Sequence, residues 1–466
     1  MTPKEAGATG FPHLGRELMK RRVLAAGPLL AGALGLLVTA AFVTAALAQQ
    51  QTTPAPAAPA ASAPSAAPAA TAPAATAPAA TAPAALPPGS PLIGRPANNP
   101  AAAKLAPVAP PPLAAAADKI PVDKLKAPKG FNIELYASGM ANARSLALGD
   151  KGTVFVGSRL LDKVYAIVNK NGKREVKVLV SGLYRPNGVV FKNGTLYIAE
   201  LSQISKIDNV EDKLDSPPKP TVIYSDLPKD EAHGWKFLAM GPDNRLYFNI
   251  GAPCNICMPP PTNAQLRSIG VDGSGATIVA HGIRQVVGMD FHPTSKVLYF
   301  TENQRDWLSE DEPQDKLNRV LNPGKDNFGF PYCHGGNIED PEFGWGHSCD
   351  EFTKPIAQIG PHTAPLGMRF YTGHMFPAKY QSAIFIARHG SGNKTHKIGG
   401  DIYVVTLNKD GTVKSQEPFL TGFLQDNNYI GRPVDVMNMP DGSILISDDW
   451  NGAVYRVTYG NKVAGR

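Results

Sequence analysis

From about Lys129 to Tyr459 one pattern returns six times: an apolar strand, a turn rich in Gly, Asn, Asp or Pro, then a strand of alternating aromatic and aliphatic residues. The second strands are Thr-Val-Phe-Val-Gly from Thr153, Thr-Leu-Tyr-Ile-Ala from Thr195, Arg-Leu-Tyr-Phe-Asn from Arg245, Val-Leu-Tyr-Phe-Thr from Val297, Ala-Ile-Phe-Ile-Ala from Ala383 and Ser-Ile-Leu-Ile-Ser from Ser443. A third apolar strand follows each, at 164–167, 204–207, 266–269, 317–320, 402–405 and 454–457, and outer strands follow in several copies, at 176–180, 221–224 and 277–280. Repeats of about 40 to 60 residues with four short strands cannot bury their faces singly, and stacking them around a central channel gives a β-propeller. Six copies predict an all-β, six-bladed β-propeller. The last copy stops at Tyr459 without an outer strand, whereas 131–137 reads as a strand ahead of the first copy. The amino-terminal strand is therefore predicted to complete the final blade and close the ring. A two-sheet sandwich would not call for six similar units.

The rest of the chain is divided by composition. Residues 1–22 form a basic flank ending in Lys20-Arg21-Arg22, and 23–48 contain no charged residue. That run is long enough to span a bilayer, and its basic flank stays cytoplasmic. It reads as a signal peptide or a transmembrane anchor: Ala46-Leu47-Ala48 resembles a cleavage site, Met19 offers an alternative start, and Arg21-Arg22 is compatible with twin-arginine export. Residues 49–117 are an Ala/Pro-rich linker in which Thr-Ala-Pro-Ala-Ala recurs from Thr71, Thr76 and Thr81. Regular Pro keeps such a segment extended but gives it no core. Residues 118–466 are the propeller domain, expected in the periplasm, either secreted or anchored to the inner membrane by 23–48, with membrane contact only through that segment.

The formal charge of +7 does not indicate a nucleic-acid partner, because most of it lies outside the domain. The flank carries five basic residues against two acidic, and the linker adds Arg95 and Lys104, so only two of the seven charges remain on 118–466. Four cysteines are too few for a disulfide scaffold, and no Cys-x-x-Cys-His occurs for covalent haem.

In a propeller, the segment from one blade's outer strand to the next blade's innermost strand crosses one face of the disc. Those segments carry Arg144, Arg185-Pro186-Asn187, His233, Arg284-Gln285, His362 and Arg432. Several cations around one channel mouth repel each other, and an anionic ligand would relieve that cost. Alternatively, each merely hydrogen-bonds loop backbone.

These segments resemble a known family. His233-Gly234-Trp235-Lys236-Phe237 with Gly241-Pro242-Asp243-Asn244-Arg245-Leu246-Tyr247, Gly282-Ile283-Arg284-Gln285, Asn303-Gln304-Arg305-Asp306-Trp307 with Asp315-Lys316-Leu317-Asn318-Arg319, and Gly431-Arg432-Pro433-Val434-Asp435 are similar to the pyrroloquinoline quinone (PQQ)-dependent soluble glucose and sorbosone dehydrogenases, the sorbosone branch most of all. The resemblance implies PQQ, a tricarboxylate quinone, over the channel with Ca2+ against its quinone edge. It implies His233 as the base taking the hydroxyl proton and Arg284 as the stabiliser of charge on the quinone oxygen. Arg144, Asn187, Gln285 and Arg432 become the expected cofactor-binding residues, and Gln304 and Arg305, through their carbonyls, with Asp315 nearby, the expected calcium ligands. The substrate would be a sugar or sugar-derived aldehyde or alcohol, and electrons would pass to a separate acceptor, a cytochrome or quinone.

The chain also departs from the family. Val434 stands where the glucose enzymes have a second Arg, Gln285 replaces their Asn, their cofactor-binding Lys has no certain counterpart, and Gly392 stands where relatives often have Trp. Two other functions fit a six-bladed propeller, a non-catalytic surface binding module and a calcium-dependent lactonase, but the Arg- and His-rich mouth does not suit the carboxylate ring of the latter. Relatives share the pair Cys254 and Cys257, while Cys333 and Cys349 fall in a long insertion placed between the fourth and fifth repeats. Bridges 254–257 and 333–349 are predicted, with a four-Cys zinc site as the alternative.

Overall fold

The computed structural model describes residue 111 and residues 113–460. The predicted basic flank, the apolar run and the linker up to residue 110 lie outside the described residues.

Among the described residues, six four-stranded antiparallel sheets form the blades. Alternation of apolar residues makes each strand two-faced, so neighbouring blades bury their faces against each other. Phe155, Val164, Val189, Leu196 and Ile198, for example, pack together between blades 1 and 2. The innermost strands are Ala143–Leu148, Gly188–Lys192, Leu238–Met240, Met289–Phe291, Pro365–Phe370 and Pro433–Asn438, and each touches the next around the ring. Closure is as the sequence predicts. Phe131–Ser138 pairs antiparallel with Ala453–Tyr459, Phe131 opposite Tyr459, so the outer strand of blade 6 comes from the amino-terminal end. Phe131 also meets Phe376 and Phe419 edge-on at 4.8 and 4.9 Å, which ties this strand to blade 5. Each such aromatic pair adds about 0.5–1.5 kcal/mol beyond area burial.

Two boundaries differ from the sequence reading. Contact with the propeller starts at Ala115, whose amide donates to Asn451 O at 2.9 Å, a few residues ahead of 118. The long insertion lies inside blade 4, between Gln314–Val320 and its outer strand Ala357–Pro361, and not between the fourth and fifth repeats. The outer strand was missed because Ala-Gln-Ile-Gly-Pro is short and ends in turn residues. The insertion carries its own hairpin, Cys333–His334 with Ile338–Glu339.

Candidate active site

His233, in the segment leading into blade 3, lies against the end of the second strand of that blade. Its Nδ1 is 2.8 Å from Ala252 O, so Nδ1–H donates there and Nε2 carries the lone pair. The close approach depends on Gly251, where a Cβ would lie 2.5 Å from His233 O and 2.6 Å from its Cβ. His233 itself has φ +51°, a left-handed backbone uncommon for a residue with a side chain and concentrated at functional sites. Burial first, then the Arg284 charge, lowers its pKa to about 3, so the ring is neutral at ordinary pH. The carboxamide of Gln285 sits behind it, donating to His233 O at 3.0 Å and accepting from Trp235 Nε1 at 3.1 Å. Gln285 thus braces the His233 backbone against the Trp235 ring.

Beside it, Arg284 is held at both levels. Its backbone N donates to buried Glu302 (3.0 Å) and its carbonyl accepts from Ala252 N (2.8 Å). Its guanidinium donates from Nε to Asn255 O (2.9 Å), from Nη2 to Asn255 Oδ1 (2.8 Å) and Asp306 Oδ2 (3.3 Å), and from Nη1 to Asn303 O (3.4 Å). The loop 303–306 is pinned below by Asp315, whose carboxyl accepts from Gln304 N at 2.8 Å, Ala364 N at 2.9 Å and Thr363 Oγ1 at 3.2 Å. Burial raises the Asp315 pKa to about 6 despite those bonds. These bonds make Asp315 a support of the loop, and it also lines the cavity described below. The carbonyls of Gln304 and Arg305 accept no hydrogen bond among the described residues, and the Arg305 side chain turns away to buried Asp340.

His233, Trp235, Arg284, Gln285, Gln304, Asp306, Asp315 and His362 line one cavity of about 240 Å³ together with Gly390 to Asn393, of which Asn393 donates to Asp306 at 2.7 Å. His362 is anchored through Nε2 to Ser309 O at 2.7 Å. Larger clefts exist near the blade rims, but they hold none of these groups. Arg144, Asn187 and Arg432 do not line the cavity. They belong to a buried cluster next to it, in which Arg144 donates to Asn187 Oδ1 (3.0 Å) and Asp449 (2.8 Å) and Asp449 also meets His389 Nε2 (2.8 Å). Arg432 donates to His389 O (3.1 Å) and Gly390 O (2.7 Å), so it reaches the cavity through the wall residue Gly390.

A residue the sequence reading passed over completes the cavity. Arg159 lies over the Trp235 ring at 4.6 Å, its buried Nε has no hydrogen-bond partner among the described residues, and burial followed by the Arg144 charge lowers its pKa to about 10. A signal for it was present. In an antiparallel pair the residue after the second strand lies level with the residue before the innermost strand, as the pairings Ala143 with Ser158, Pro365 with Arg388 and Pro433 with Asp448 show. The residues just past those second strands are Arg159, His389 and Asp449, a second ring at the same mouth.

Both predicted disulfides are present, Cys254–Cys257 and Cys333–Cys349, which removes the four-Cys zinc alternative.

The model of the Glucose / Sorbosone dehydrogenase family matches residues 258–456. An uncharacterized protein of Borreliella burgdorferi is 34% identical over 351 residues, 72% of this chain and 91% of that one. Among solved structures, the calcium structure of a Trichoderma reesei family AA12 carbohydrate-active enzyme is similar with a TM-score of 0.62 at 18% identity, over 72% of this chain and 97% of that one. The holo form of the pyranose dehydrogenase PQQ domain from Coprinopsis cinerea gives 0.60 at 18% identity, over the same shares. At such identities the structural likeness speaks for the fold.

Proposed function

The chain belongs to the glucose/sorbosone dehydrogenase family, and from that premise we propose that it oxidises a sugar or sugar-derived aldehyde or alcohol, with PQQ as resident cofactor and calcium beside it. The observation that carries the proposal is a single cavity in which a neutral histidine faces two arginines, one of them with an unsatisfied donor.

The donor set suits both groups. Arg159 and Arg284 supply planar cations for a polycarboxylate, and the unpartnered Nε of Arg159 is a buried donor awaiting an acceptor. The free carbonyls of Gln304 and Arg305 are hard oxygen donors of the kind calcium takes. When bound, PQQ supplies the hydride acceptor, and that chemistry is its own. The protein's part is to hold and move charge. His233, fixed by Ala252 O through Nδ1–H, presents Nε2 to accept the substrate hydroxyl proton. Arg284 stands 3.3 Å from the partly exposed Asp306 carboxylate and keeps positive charge where negative charge collects. Asp315 and Gln285 keep the loop and the base in register.

The finer readings follow from the same premise. The motifs favour a sorbosone-type aldehyde or related sugar, with electrons leaving to a separate cytochrome or quinone. Two disulfides suit an oxidising compartment, and with the basic flank and apolar run they support a periplasmic domain, secreted or anchored. The lactonase alternative loses ground because the channel carboxylates Asp290 and Asp435 are each engaged with backbone amides.

The test is to load the protein with PQQ and calcium and follow dye reduction over a panel of aldoses, alcohols and aldehydes. A cofactor absorbance change with turnover on one sugar class is expected. Neither signal with any substrate would leave the binding-module reading in its place.

A further inference from the structure

Asn255 lies between the two cysteines of the Cys254–Cys257 bridge, in a stretch after Gly251 without strand pairing. It nevertheless holds two separate parts of the cavity wall. Its carbonyl and its Oδ1 accept the parallel Nε–H and Nη2–H of Arg284 at 2.9 and 2.8 Å, fixing one edge of the guanidinium and leaving Nη1 with only a long 3.4 Å contact. Its side chain also closes a ring with Asp306, Oδ1 accepting from Asp306 N at 2.8 Å and Nδ2 donating to Asp306 O at 3.0 Å. Asp306 N–H shares a planar trans peptide with the Arg305 carbonyl, and in such a unit N–H and C=O point in opposite directions. Holding the N–H toward Asn255 therefore turns the Arg305 oxygen away from it, which agrees with that oxygen accepting nothing among the described residues.

We propose that Asn255, tethered by the Cys254–Cys257 disulfide, is the positioning residue that orients both the Arg284 guanidinium and the Arg305 carbonyl, and so couples the charge-stabilising group to the cation site. The roles of those two groups rest on the quinoprotein reading above; the geometry that Asn255 imposes does not. The disulfide contributes by restricting a loop that has no ladder to hold it. Without the bridge, Asn255 would have to be ordered anew each time the site forms.

The experiment uses the full chain with three variants: Asn255→Ala, Asn255→Asp, which keeps acceptors for Arg284 and Asp306 N, and the double variant Cys254→Ser/Cys257→Ser. Hydrogen exchange over 303–307 and calcium titration without PQQ are measured beside turnover. Asn255→Ala should lose protection of the Asp306 amide, bind calcium more weakly and lower kcat about 10- to 100-fold, the worth of a charge-assisted contact, while KM for the sugar stays as it was. Asn255→Asp should recover the protection and most of kcat, and the double serine variant should fall between. If Asn255→Ala exchanges and binds calcium like wild type, or if Asn255→Asp is no better than Ala, the proposal fails. If protection follows the expected order while the wild type neither binds PQQ nor turns over, the positioning role stands and the dehydrogenase reading falls.

Discussion

Two sides of one channel mouth carry the same kinds of residue and are built in opposite ways. On the side of blades 1 and 6, Arg144 and His389 converge on Asp449, which is fully buried, and the Arg432 guanidinium is bonded to the carbonyls of His389 and Gly390. On the side of blades 3 and 4, Arg284 meets Asp306, whose side chain is 43% exposed, and Arg159 reaches across from blade 1 to the Trp235 ring with a donor that has no partner among the described residues. The first cluster is electrostatically complete and supports the wall. The second still has charge to offer. Residue type does not distinguish a structural cation from a functional one; the acceptors within reach do.

The comparison breaks most sharply at His233. If His233 is the base proposed above, His233→Ala should lower turnover about 10² to 10⁴-fold while PQQ titration by absorbance stays near wild type, since that role concerns the substrate proton. Loss of cofactor binding instead would move His233 into the supporting group.

On the closed side the corresponding loss is stability. Asp449→Ala removes the carboxylate shared by Arg144 and His389, and breaking such a buried pair costs about 3–5 kcal/mol. Asp306→Ala, at a partly exposed pair, should cost no more than about 1 kcal/mol. Chemical denaturation of the two variants checks the contrast, and equal losses would erase it.

Arg159 and Arg432 give the next step down. Arg159→Ala should weaken PQQ binding by about 1.5–3 kcal/mol, the value of a charge-assisted hydrogen bond, with no loss of folding stability, because its removal also relieves repulsion from Arg144. Arg432→Ala should lose stability together with affinity, since its guanidinium satisfies carbonyls of the wall. Parallel denaturation and PQQ titration separate the two.

Much of this was legible in the sequence, and the remainder shows why some was not. Blade strands could be read because a two-residue period in apolar residues needs only local information, and the closing strand because one copy lacked a partner. That His233 and Arg284 share one cavity was legible through motif order, and the disulfide pairs through a shared Cys pair and a long insertion. Arg159 and Asp449 were not, because they follow strands instead of leading into them, and only the antiparallel register brings them level with the first ring. Asp315 has its two carboxyl oxygens taken by Gln304 N, Ala364 N and Thr363, a fact of three-dimensional distance that no spacing encodes. The insertion was misplaced for a related reason: its return strand pairs across some forty residues.

The last contrast is in the pH dependence of stability, and it distinguishes the two sides by their response to ligand. Burial lowers the pKa of both His233 and His389 to about 3, with Arg284 and Arg432 respectively adding to the shift. In the unfolded chain each returns to about 6.5, so between pH 6.5 and 3 the unfolded state binds the extra protons. Their contribution to stability is whole above pH 6.5 and is lost as pH falls through that window, at up to about 1.4 kcal/mol per pH unit for each ring. His233→Gln and His389→Gln should each flatten that slope, measured as unfolding free energy between pH 4 and 6.5. Loading PQQ should set the two apart. An anion beside His233 favours its protonated form and raises its folded pKa, so the slope due to His233 should shrink in the loaded protein. His389 already has Asp449 at 2.8 Å and should keep its slope. If PQQ leaves the His233 contribution unchanged, the ligand does not sit against that ring, and the open side of the mouth is as structural as the closed one.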